Sequence, residues 1–148
     1  MIISKKTSSE AETRAFAKKL VGVFGPKAFY ALRGDLGAGK TCFVQGIAAA
    51  LGIKDAVCSP TFTIVNEYTN AKGVRLIHVD LYRISGPEDL DSIGWDDYLD
   101  SGDAMAVEWP ERAGEELPAR AILVEIAIGS TPDERLFTVT PPEDKNVA

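Results

Sequence analysis

Gly34-Asp35-Leu36-Gly37-Ala38-Gly39-Lys40-Thr41 is the stretch that decides the fold. It matches G-x-x-x-x-G-K-[ST] at every fixed position. The glycines let the backbone turn with positive φ and bring its N–H groups against phosphate oxygens. The helix that follows aims its positive dipole end at the same anion. Lys40 supplies a charge for the β- and γ-phosphates, and the Thr41 hydroxyl is the expected Mg²⁺ ligand. Ordinary glycine usage would give such a match by chance in about 1 random chain of this length in 200. The setting narrows chance further. Lys27 to Arg33, with Ala-Phe-Tyr-Ala-Leu at its centre, reads as a buried strand before the loop. Lys40 to Leu51, ended by Gly52, reads as the helix after it.

Working outward, Ser9-Glu10-Ala11-Glu12 fits a capping box, with Ser9 as N-cap and Glu12 reaching back. A helix follows to about Phe24, burying Phe16, Leu20 and Val23, and Gly25-Pro26 stops it. Pro60 opens an extended segment, Phe62 to Thr69, and Asn70-Ala71-Lys72-Gly73 turns it into a hairpin with Val74–Arg83. Pro87 starts a helix over Glu88 to Ile93. Ala104 to Trp109 is a short apolar strand ended by Pro110. Ala121–Ile128 and Leu136–Val139 form a hairpin joined by Gly129–Arg135, and the tail after about 141 frays. Strands and helices alternate over the first two-thirds of the chain. The fold class is therefore α/β: a P-loop, three-layer arrangement with a mixed, mostly parallel central sheet and helices on both faces.

The 148 residues suit one domain, 1–148. A net charge of −6 repels phosphate backbones, so a partner would have to supply any RNA-binding groove. Cys42 and Cys58 lack metal-ligand spacing and read as reduced thiols. No charged start precedes an apolar h-region, and no apolar run nears the ~20 residues that span a bilayer. The expectation is a cytoplasmic protein with no membrane partner.

A P-loop enzyme needs a carboxylate near the magnesium. Asp80 ends Leu76-Ile77-His78-Val79, and Glu108 ends Ala104-Met105-Ala106-Val107. An acid directly after an apolar strand sits at the carboxyl edge of the sheet, where nucleotides bind. One acid could hold Mg²⁺ through water while the other orients the attacking water. The blander alternative for each is a solvated strand end. His78 shares a strand face with Asp80 and reads as a satisfied structural histidine rather than a catalytic one. Trp109 is either core or a platform for the nucleotide. Ser59-Pro60-Thr61-Phe62 follows Lys40 by about twenty residues, where P-loop proteins carry a switch threonine, although a simple Pro-led loop has the same spacing. There is no N/T-K-x-D segment for guanine and no long insertion to serve as a kinase lid. ATP is then the nucleotide left by elimination.

These stretches together resemble the TsaE family (formerly YjeE) of bacterial ATPases. The resemblance is carried by Gly34–Thr41, Ser59-Pro60-Thr61-Phe62-Thr63, His78-Val79-Asp80-Leu81-Tyr82-Arg83 and Glu108-Trp109-Pro110-Glu111, in that order and spacing, over roughly residues 8–128. It implies an ATPase that helps make N6-threonylcarbamoyladenosine in tRNA. It also implies docking on a TsaB–TsaD complex that stimulates hydrolysis, with tRNA met only through those partners. Position by position, it implies that Gly34, Asp35, Leu36, Gly37, Ala38, Gly39, Lys40, Thr41 and Cys42 surround ATP. Thr41 and Glu108 would hold Mg²⁺. Asp80 and Thr61 would join Glu108 in catalysis, and Thr13 and Trp109 would lie near the nucleotide. The chain departs from the family at Cys42, where a second threonine is common, and at Phe62, where tyrosine is. The first departure removes a hydroxyl beside the phosphates and the second a phenol from the switch. Two other readings fit a P-loop: a small-molecule kinase, and a nucleotide-binding regulator without turnover.

Overall fold

The computed structural model describes residues 2–35, 39–60 and 63–142. Leu36, Gly37 and Ala38 of the phosphate loop, Thr61 and Phe62 of the switch stretch, and the tail from 143 onward lie outside the described residues.

The chain runs β1 (Ile3–Thr7), α1 (Glu10–Phe24), β2 (Phe29–Arg33), α2 (Lys40–Ala50), β3 (Val65–Thr69) and β4 (Arg75–Asp80). A 3₁₀ turn (Pro87–Ile93), α3 (Trp95–Ser101), β5 (Ala104–Glu108), a second 3₁₀ segment (Pro110–Glu116), β6 (Ile122–Ile128) and β7 (Arg135–Thr140) complete it. The strands form one sheet of seven in the order β1-β7-β6-β2-β5-β4-β3. β6, β2, β5 and β4 run parallel at its centre, and the antiparallel pairs lie at its two ends. The sheet is thus the mixed one the sequence implies, with its parallel part confined to four central strands.

The central strands are buried on both faces and read as continuous apolar runs, as parallel strands do. One face packs on α1 and α2 through Phe16, Ala17, Leu20, Phe43 and Ile47. Each of the Phe, Leu and Ile side chains contributes about 1.5–3 kcal/mol by leaving water. The other face packs on α3 and the 3₁₀ segments, centred on Trp95 and Leu90. α1 starts at its capping box: Ser9 Oγ accepts from the Glu12 amide at 3.1 Å, while Glu12 Oε1 accepts from the Ser8 amide at 2.8 Å. α1 crosses α2 at Gly46, where an added Cβ would lie 2.5 Å from the Arg14 carbonyl oxygen. Only a glycine lets the two backbones approach that closely.

One local expectation changes, and two elements stand where the sequence carries no reading. Val23 faces water at 59% exposure, because the apolar stripe of α1 follows Phe16, Ala17 and Leu20 and leaves Val23 off the buried side. The segment Ile3–Thr7, which has no strand reading in sequence, pairs antiparallel with β7 as an edge strand. After Pro110, which ends the strand reading, the chain winds into a 3₁₀ segment with Pro110 and Ala113 buried. Among the described residues no helix is long and apolar enough to cross a membrane.

Candidate functional site

The carboxyl ends of β2, β4 and β5 lie side by side, since the register pairs Leu32 with Glu108 and Asp80 with Glu108. The phosphate loop leaves β2 at this edge and returns as α2. Gly39 is the α2 N-cap and takes φ +100, the left-handed region that glycine enters without penalty. Lys40 follows at once. Its side chain is only 6% exposed, and its Nζ donates to the Gly34 carbonyl at 2.8 Å. The same ammonium lies 3.9 Å from Glu108 Oε1 and 4.8 Å above the centre of the Trp109 ring.

Neither acid is a solvated strand end. Asp80 is 6% exposed and Glu108 4% exposed. Burial pushes the Asp80 carboxyl above the ordinary carboxylate value, and the neighbouring Glu108 charge adds to that. The Tyr82 amide, donating to Oδ1 at 2.9 Å, and the neighbouring Lys40 and His78 side chains pull the other way. A buried carboxylate is expensive unless it meets a cation or donors. Glu108 meets both: Lys40 on one oxygen and His78 Nε2 at 2.6 Å on the other.

Trp109 directly after Glu108 adopts φ 58, ψ 50, an uncommon conformation for a non-glycine residue. It swings the indole over the edge of the sheet, where it meets Tyr82 with ring centroids 5.0 Å apart. The indole is half-buried, so it serves both as core cover and as a wall of the site.

These groups face a cleft of about 820 Å³, large enough for a nucleotide. Thr13, Gly39, Lys40, Thr41, Cys42, Asp80, Glu108 and Trp109 all line it. Gly34 and Asp35 line an adjoining groove of about 730 Å³ instead, and Trp109 forms a wall of both. Thr13 reaches the cleft from α1 with its hydroxyl already bonded to Thr7 Oγ1 at 2.7 Å. Cys42 has its Sγ 3.3 Å from the Glu10 carbonyl oxygen, and Arg14 donates to the same sulfur. Burial pushes that thiol's pKa up, against the pull of Arg14, so it stays protonated rather than reactive.

Sequence reasoning missed Arg135. It begins β7 and lines the cleft, and a Cβ added at Gly39 would come within 3.6 Å of its Nε. No local motif marks it, because only the β6–β7 pairing brings this residue beside the phosphate loop. Sequence reasoning also gave His78 no tie to Glu108. That tie exists because β4 and β5 are neighbours, a fact of topology rather than of spacing.

Comparisons with known proteins point to one family. The family model described as "Threonylcarbamoyl adenosine biosynthesis protein TsaE" matches residues 7–136. The "tRNA threonylcarbamoyladenosine biosynthesis protein TsaE" of Bacillus subtilis (strain 168) is 38% identical over 135 residues, covering 91% of this chain and 83% of the relative. The protein of the same name from Rickettsia bellii is 34% identical over 134 residues, covering 90% and 91%. The crystal structure of YdiB from Bacillus subtilis superposes with a TM-score of 0.77 at 34% identity, covering 98% of this chain and 88% of that one.

Proposed function

The chain belongs to the TsaE family of tRNA threonylcarbamoyladenosine biosynthesis proteins, and on that premise we propose that its cleft binds and hydrolyses ATP with Mg²⁺ in making N6-threonylcarbamoyladenosine. The observation that carries the reading is the setting of Lys40. Among the described residues, a buried ammonium at the start of α2 meets a backbone carbonyl, one carboxylate at 3.9 Å and the face of Trp109, a setting suited to a polyanion.

The residues fit a magnesium nucleotide. The Thr41 hydroxyl and the Glu108 carboxylate are hard oxygen donors on adjoining walls of the cleft, the type Mg²⁺ accepts beside phosphate oxygens. When bound, Mg²⁺ supplies charge neutralisation across the transferring phosphoryl group. Lys40 would move from the Gly34 carbonyl onto phosphate oxygens. Asp80, whose burial raises its proton affinity, suits, as the carboxylate, the group that orients the attacking water and takes its proton as the new P–O bond forms. Arg135 beside Gly39 adds a second cation to the phosphate end. Thr61 would report the γ-phosphate from the switch stretch.

The partner reading rests on charge and on family. A chain with net charge −6 suits a subunit that meets TsaB–TsaD and leaves contact with the tRNA backbone to them, in the cytoplasm. The test is phosphate release from γ-labelled ATP by the purified protein, alone and with TsaB–TsaD added. Slow release that rises with the partners is the expected result. Label moved to a small metabolite would instead mean a kinase. Bound but intact ATP, with no rise, would mean a regulator without turnover.

A further inference from the structure

We infer that His78 is a positioning residue that clamps Glu108 through Nε2 and so fixes the orientation in which the carboxylate faces the nucleotide's magnesium; this rests on the nucleotide-site reading above. His78 stands on β4 and Glu108 on the neighbouring parallel strand β5, with both side chains on the α1–α2 side of the sheet. His78 has no exposed surface, and its Nε2 lies 2.6 Å from Glu108 Oε2. A carboxylate only accepts, so Nε2 carries the hydrogen. Contacts of this length to a charged acceptor are among the stronger hydrogen bonds.

The other ring nitrogen makes the case sharper. His78 Nδ1 is buried and has no hydrogen-bond partner among the described residues. Such an atom loses its hydration and gains nothing in return. An apolar side chain between Ile77 and Val79, across from Ala106, would pack there without that cost. What the imidazole adds over an apolar residue is the donor that meets Glu108.

The consequence lies in the carboxylate. With Oε2 committed to His78, rotation about the last bond of Glu108 is blocked, and Oε1 is the oxygen turned to Lys40 at 3.9 Å. Oε1 is therefore the oxygen presented to the phosphate end of the cleft. Partners that hold a metal ligand in place typically matter by about 10- to 100-fold in metal affinity or activity.

The test separates the donor from the bulk of the ring. In His78→Gln the amide nitrogen can reach the place of Nε2. In His78→Asn it reaches only the place of Nδ1. The readouts are ADP affinity in EDTA, the Mg²⁺ concentration that half-maximally tightens ADP binding by calorimetry, and the nucleotide-free melting temperature. The expected result is that His78→Gln keeps a near wild-type Mg²⁺ requirement, while His78→Asn raises it about 10-fold or more. ADP affinity in EDTA should hold in both. If His78→Asn does not fold, His78→Met, which fills similar volume without a donor, takes its place with the same expectation. An unchanged Mg²⁺ requirement in the donor-less variant, or equal increases in both variants, would overturn the positioning role. If the wild type itself shows no Mg²⁺-dependent nucleotide binding, the failure belongs to the nucleotide-site reading instead.

Discussion

The two ends of β4 and β5 are built from opposite materials. At the entry end, Leu76, Ile77, Ala104 and Met105 are apolar, buried and packed from both faces. At the exit end, His78, Asp80 and Glu108 are equally buried, yet two are acids and the third has one nitrogen without a hydrogen-bond partner among the described residues. The first arrangement lowers the free energy of the fold by removing apolar surface from water. The second raises it, because desolvated charges are only partly repaid by their neighbours. Strain and unpaired burial of this sort gather where a ligand completes the set. The entry end makes the sheet stable, and the exit end spends part of that stability to hold charges ready.

The largest effect that could break this division lies in the core. Phe43 on α2 is fully buried, with its ring 5.7 Å from that of Phe137 and 6.1 Å from that of Tyr30. Phe43→Ala should cost about 3–5 kcal/mol of unfolding free energy through lost transfer energy and a cavity. ADP affinity of the folded fraction should stay near wild type, because Phe43 does not line the cleft. Urea melts with and without ADP would check both parts. A variant with normal stability but lost affinity would erase the distinction between the two ends.

A smaller and opposite effect should come from the exit end. Because burial raises the Asp80 pKa, the folded protein keeps this proton to higher pH than the unfolded chain. Stability is therefore undiminished below the unfolded value of 3.8 and falls as pH rises from there through the raised folded value. Asp80→Asn keeps an acceptor for the Tyr82 amide and removes the titration. The nucleotide-free variant should melt above wild type at pH 7, and the gap should close as pH falls below about 4. Melting curves across that range decide it. A gap that is constant with pH would mean the carboxyl is not the source.

The sequence exposes the exit end more fully than the elements around it. Gly34–Thr41 is legible because phosphate binding needs those residue types at that spacing. Asp80 and Glu108 are legible because each closes an apolar run, which fixes both its strand and its edge. Ser9 and Glu12 mark the start of α1 by local hydrogen bonding alone. What stays hidden is what depends on distant chain. Ile-Ser-Lys-Lys-Thr has little apolar pattern and becomes β1 only through its pairing with β7. α3 is seven residues long and held by the burial of Trp95 against the sheet, so its helicity is a tertiary effect. Arg135 and the His78–Glu108 contact share that cause, since strand order rather than sequence spacing brings them to the site.

If the buried charges at the exit end serve a magnesium nucleotide, as proposed, Lys40→Ala should remove its binding. Calorimetric titration of ATP with Mg²⁺ into wild type and variant is the measurement. The variant loses the cation that meets the phosphates and should lose productive nucleotide binding. It should remain folded, with Glu108 still held by His78. Near-normal affinity and turnover in Lys40→Ala would mean that these charges do not hold a nucleotide.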